Sequence, residues 1–148
     1  MFHVYEFEVF EDEGSYLAVP FDLQGGTQGE TLAEACEKAA DWLRTECEFR
    51  AMHDEGFPAA TFGNVPRHGG RILLVGVGAG RDTVRKVTAS EAARRLGVSP
   101  GRVTQMIAAN QLEAFREGRR TWVTIDSIEA RLAESHPAGR PRLARAEE

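Results

Sequence analysis

The sequence predicts an α+β chain in two units, a β-β-α-β unit followed by a winged helix-turn-helix. Three observations lead there. Near Thr31 a two-residue hydrophobic period gives way to helical spacing, and a long apolar run follows later. From Val87 onward two helix-start signals lie close together, ahead of an arginine-rich hairpin pattern. Charge divides as well: residues 1–70 hold four basic side chains against fourteen acidic, and residues 71–148 hold fourteen against nine, within a net charge of −5. An acidic half joined to a basic half points to two jobs with partners of opposite sign.

In the first unit, "HVYEFEVF" alternates, with Tyr5, Phe7 and Val9 directed to a core and Val4, Glu6 and Glu8 on a face expected to be wet. "EDEG" is a polar turn and "SYLAVPF" resumes extended structure, so the two should form a hairpin. From Thr31 to about His53, Leu32, Cys36, Ala39, Leu43 and Cys47 line one helix face. "EGFPAATFGNVPRHGG" is loop by its prolines and glycines, and "GRILLVGVGAG" is expected to be a buried strand. The glycine-rich "GGTQGET" raises the question of a phosphate loop. It has glutamate where a Walker-type loop places lysine, whereas Thr31 and Glu34 form T-x-x-E, a capping box. Its glycines therefore serve backbone geometry.

In the second unit, Thr88 to Glu91 is another capping box, opening a helix that closes at Gly97. Ser99-Pro100 starts a second helix running to Asn110. On that helix Val103, Met106 and Ile107 fall inward, leaving Arg102, Thr104, Gln105, Ala108 and Ala109 around the rest. Arg102 and Gln105 lie near the N-terminal end, where arginine suits guanine and glutamine suits adenine. "LEAFREGRRTWVTI" then reads as a hairpin wing with Arg116, Arg119 and Arg120 at its tip for phosphates, and with Phe115 and Trp122 as packing anchors. Asp126 and Glu129 should cap a last helix. The candidate DNA contacts are Ser99, Arg102, Thr104, Gln105, Arg116, Arg119 and Arg120, and two-fold operators make a homodimer or higher homo-oligomer the expected form. The strand "RILLVGVG" and the helix bearing Trp42 are candidate surfaces for it.

Other classes find little support. The longest apolar run, about nine residues, is half of a membrane span, and the N-terminus lacks the basic start of a secretory signal. A cytoplasmic location is expected. Cys36 and Cys47 would share a helix face about 16 Å apart in rise, too far to bridge, so reduced thiols are expected. Glu6, Glu8, Asp12 and Asp22 are candidate metal carboxylates by type, but no pattern gathers them, and His3, His53, His68 and His136 are scattered. No catalytic residue, metal or cofactor is expected.

The stretch "YEFEVFEDEGSYLAVPFDLQGGTQGETLAEACEKAADWL", with its G-S-Y-L-A-x-x-P, G-x-T-x-G-x-T and L-x-E-A-x-x-x-A patterns, resembles the N-terminal domain of HicB antitoxins. Residues 87–133, with A-A-x-x-L-G-V-S, a G-R wing and a final I-x-x-x-L, resemble the excisionase or MerR-like winged helix. The resemblances imply a degenerate RNase-H-like domain over 1–80, a linker at 81–86, a DNA-binding domain over 87–134 and a disordered tail at 135–148. They also imply a type II antitoxin that neutralises HicA, a small basic ribonuclease acting on mRNA, and represses its own operon. A HicB-like regulator without a toxin is the alternative, and a metal-dependent RNase-H-like nuclease the remote one.

Overall fold

The computed structural model describes residues 1–135; the expected tail, and His136 with it, lies outside the described residues. The fold is α+β, in two compact units that meet in sequence at Val84 and Arg85.

The first unit is a four-stranded antiparallel sheet with one long helix on it. Strand β1 (Phe2–Asp12) lies centrally between β2 (Ser15–Pro20) and β4 (Arg71–Gly78), and a short β3 (Thr27–Gly29) pairs with β2. Strand β3 is not foreseen from the sequence, since three residues that include a glycine show no alternation. Helix α1 (Leu32–Met52) begins where the Thr31 hydroxyl accepts the Glu34 N–H at 3.1 Å, and it ends at His53. The Glu34 carboxylate reaches back to the Glu30 N–H, one residue beyond the usual capping box. The preceding glycines act through the backbone: Gly25 has φ of 111°, and a Cβ on Gly29 would stand 2.6 Å from the Ala35 nitrogen.

Tyr5, Phe7 and Val9 meet Ala35, Ala39, Leu43 and Cys47 in the core, with Trp42 edge-on to Phe7 at 5.9 Å. Leu32 and Cys36, expected in the core, are only half-buried, and Ala35 takes the central place. The buried Cys47 thiol is pushed up to about 11 by desolvation, with Glu46 adding to it, so it is inert at neutral pH.

Two expectations for this sheet are overturned. Glu6 and Glu8 are buried, 5% and 3% exposed, because the 57–70 segment folds over the face expected to be wet. Strand β4 is not buried throughout: Val75 and Val77 face the helix, while Ile72 and Leu74 are exposed. It is an antiparallel edge strand with one open face, and a continuous apolar run does not distinguish that from a strand buried on both faces. After β4, Arg81–Thr83 form a 3-10 turn, and the Arg81 guanidinium bonds the Ala51 carbonyl and Asp54.

The second unit runs β5 (Lys86–Thr88), α2 (Ala89–Leu96), α3 (Pro100–Ala108), β6 (Ala114–Glu117), β7 (Arg120–Thr124) and α4 (Ile125–Ser135). Its antiparallel sheet has the order β5-β7-β6. Ala92, Ala93, Val103, Met106, Leu112, Val123 and Ile128 form its core. Helix α4 is capped by the Thr124 hydroxyl, which accepts the Ser127 N–H at 3.3 Å, and not by Asp126. Asp126 and Glu129 instead pair with the Arg85 guanidinium. Among the described residues no helix is long and apolar enough to cross a membrane.

Candidate nucleic-acid interface

The site is built on two helices, a turn and a hairpin. The Thr88 hydroxyl caps α2 by accepting the Glu91 N–H at 3.2 Å, and Gly97 stops it in the left-handed conformation, φ 70°. That reversal is cheap only for glycine, and it brings the chain round for the next cap two residues later. There the Ser99 hydroxyl accepts the Arg102 N–H at 3.1 Å, with Pro100 at the first helical position. Val103 and Met106 are buried and anchor α3, while Ile107 is half-buried. Helix α3 stops at Ala108, short of the expected Asn110, which turns left-handed at φ 59°. Asparagine tolerates that conformation better than most residues.

Anchored in this way, α3 presents Arg102, Thr104, Gln105, Ala108 and Ala109 to solvent. The Arg102 guanidinium lies 3.5 Å from the Gln105 side-chain oxygen, so these two act as one polar pair at the start of the helix. Thr104 shares a groove of about 340 Å³ with Arg116, between α3 and the hairpin, floored by Ile107 and Phe115. Phe115 is buried there as a packing anchor.

At the hairpin tip Gly118 has φ 63°, and Arg119 and Arg120 line an open cleft of about 760 Å³ with Thr88, Ser90 and Glu117. That cleft places the guanidinium side chains beside the start of α2, the positive end of the helix dipole. The predicted residues thus form three local groups on one unit. Arg102 with Gln105 is the first, Thr104 with Arg116 the second, and Arg119 with Arg120 the third. Ser99 differs from the others, because its hydroxyl is already engaged as a cap.

Trp122, expected as a packing anchor, is half-buried and has two cations against its ring, Lys86 and Arg120, each 5.3 Å from the ring centre. Its indole N–H donates to Glu117 at 3.2 Å. Lys86 therefore belongs with this surface, and sequence reasoning misses it. Its signal is the register of β5 on β7, where Thr88 stands opposite Trp122, and that pairing is not visible before the fold is known.

The first unit offers no comparable array. Glu6 accepts N–H groups of Gly63 and Asn64, both at 3.0 Å, and the Asn64 side chain at 2.8 Å. Glu8 accepts those of Arg67, His68 and Gly70 at 2.8–2.9 Å. Burial works to raise the Glu8 carboxyl, but these bonds outweigh it and hold it down to about 2. For Glu6 the same kind of bonding lowers the carboxyl. Asp22 accepts the Thr61 N–H at 2.8 Å, and Asp12 ends β1 in solvent. Among the described residues no three His, Cys, Asp or Glu side chains are placed to hold a metal ion.

No protein-family model matches the sequence, and no curated protein matches it. Among solved structures, a chain described as a toxin-antitoxin complex from Streptococcus pneumoniae is similar at 18% identity and a TM-score of 0.48, over 74% of this chain and 99% of that one.

Proposed function

We infer that the chain is a DNA-binding antitoxin and autorepressor. Its second unit acts as a winged helix-turn-helix, with α3 as the recognition helix and the β6–β7 hairpin as the wing. One observation carries this reading. The solvent-facing Arg102–Gln105 pair stands at the start of a helix whose other face is anchored by Val103 and Met106, on the same unit as a hairpin tipped by Arg116, Arg119 and Arg120. Arg102 and Gln105 would read base edges, and the wing arginines would hold phosphates. The acidic first unit, of degenerate RNase-H-like form, would hold a small basic ribonuclease of HicA type. The sequence resemblance and the charge division support that half. The chain would act on its own operator as a homodimer or higher homo-oligomer.

A HicB-like regulator without a toxin is the second reading. The observation in its favour is the 57–70 segment, which takes Glu6 and Glu8 off the surface that a basic partner would meet. Nuclease activity is not adopted, because those two carboxylates are occupied by backbone N–H groups.

The test is a gel shift on the DNA upstream of the gene across a salt series. Selective binding that weakens steeply with salt is expected, and its absence would sink the repressor reading. Co-purification with a short basic protein encoded next door separates the two readings.

A further inference from the structure

Strand β4 is an edge of its sheet, and its phase is fixed. The Ala79 N–H donates to the Met1 carbonyl at 3.0 Å, and alternate residues down the ladder repeat that pairing with β1. Residues 71, 73, 75 and 77 thus turn their backbone groups toward β1, while 72, 74, 76 and 78 turn theirs outward. The outward Gly78 carbonyl accepts from Arg44 at 3.4 Å. Ile72, Leu74 and Gly76 line an edge with none of the usual guards, having no lysine, no proline and no bulge. Arg71 is the only charged residue of the strand.

The side chains of these outward residues share the face away from α1. Ile72 is 36% exposed and Leu74 61%. Phe2, 68% exposed, lies across Gly76, with a ring carbon 2.7 Å from where a Cβ would stand. This apolar strip belongs to a unit with fifteen acidic side chains and six basic ones. A partner selected by charge would be drawn to the carboxylates elsewhere on the unit. The strip itself matches a surface that is equally uncharged, and a second copy of this chain carries one in the same strip.

We propose that β4 pairs antiparallel with β4 of a second copy about a two-fold axis at Leu74, joining the two sheets into one. In this register Ile72 of each chain stands opposite the partner's Gly76, where the Phe2 ring lying over that glycine offers it an apolar neighbour, and Leu74 meets the partner's Leu74. Every outward residue that is still free then exchanges both of its backbone hydrogen bonds. A shift of two residues would set Ile72 against the partner's Gly78, whose carbonyl already accepts from Arg44, and would take Leu74 away from its own counterpart. The pairing involves none of the DNA-contact residues and does not depend on that reading.

Cysteine cross-linking tests both the edge and its register in the full chain, in a Cys36→Ser background. Leu74→Cys places two thiols on the axis, with Cα atoms about 5.5 Å apart in such a pair, within disulfide reach. Ile72→Cys places them about 14 Å apart, because the two positions are offset by four residues. Both side chains are exposed, so the fold should be kept, and circular dichroism checks that. The expected result on mild oxidation is a disulfide dimer from Leu74→Cys while Ile72→Cys stays monomeric on a denaturing gel. Sedimentation should show Leu74→Arg losing the dimer mass of the wild-type chain. If Leu74→Cys stays uncross-linked, or both cysteine variants cross-link alike, the proposal is overturned. DNA enters neither readout, so a failed cross-link leaves the repressor reading standing and a failed gel shift leaves the β4 pairing standing.

Discussion

In the first unit Glu6, Glu8 and Asp22 face the backbone N–H groups of residues 61–70, whereas in the second Arg102, Arg116 and Arg119 face solvent. Both sets look alike in a charge count. The first set is consumed inside the molecule, where it replaces the strand and helix partners that an irregular segment lacks. The second set is held outward by a scaffold whose own bonds are complete. Counting acidic residues therefore overstates how many carboxylates the first unit offers a partner at its surface. In the second unit Arg85, Arg94, Arg95 and Arg131 pair with carboxylates, while the arginines of α3 and the hairpin stay outward.

The two units differ most in what the loss of Glu8 would do. Glu8→Ala would leave the part-buried N–H groups of Arg67, His68 and Gly70 without their carboxylate acceptor, at a cost of about 2 kcal/mol. Urea unfolding should show that loss, with the 57–70 segment becoming the first site of proteolysis. A cost below about 0.5 kcal/mol would mean that the segment is held by its apolar contacts instead. Acid should have a related effect. The folded Glu8 carboxyl is held at about 2 against an ordinary 4.5, so its stabilising contribution is complete above 4.5. It is lost progressively as the pH falls toward 2, and Glu8→Gln should flatten that part of the stability profile. An unchanged profile would break the link between this carboxylate and the fold.

The arginines should behave in the opposite way, leaving stability alone and changing binding. Arg102→Ala is expected to cost about 1–3 kcal/mol of specific binding and to relax preference at one base pair. Arg119→Ala and Arg120→Ala should weaken binding to all sequences and lower the salt slope by about one each. Titrations of operator and scrambled DNA read both effects. If Arg102→Ala lowers affinity for both DNAs equally, it is a phosphate contact and the recognition assignment fails.

Legibility in the sequence follows the same division. Features set by neighbours in the chain are readable: the Thr31, Thr88 and Ser99 caps, the Gly97 stop, and the inward Val103 and Met106. Features set by distant pairing are not. Glu6 and Glu8 alternate with Tyr5 and Phe7 as wet-face residues should, and nothing local says that a segment some sixty positions away will cover them. The open face of β4, the cap at Thr124 and the placing of Lys86 over Trp122 likewise depend on which strands meet. For the candidate interface, residue types and helical faces can be read, but the grouping of Arg119 and Arg120 beside the start of α2 needs the sheet order.

Ser99 is where the two uses of a polar side chain meet, and it carries the smallest expected effect. Its hydroxyl accepts the Arg102 N–H at 3.1 Å, so it already has the role of a cap, although its position at the start of α3 also suits a phosphate contact. As a cap, Ser99→Ala should cost about 1 kcal/mol of stability, and Ser99→Gly or Ser99→Asp should restore most of it. As a phosphate contact, Ser99→Asp would instead weaken DNA binding more than alanine does, because it sets a negative charge against the backbone. Thermal melts and DNA titrations of the same three variants separate the roles. Stability restored by Asp with affinity unharmed would make Ser99 purely structural and remove it from the interface. Stability restored with affinity lost would show that one hydroxyl both ends the turn and meets the DNA.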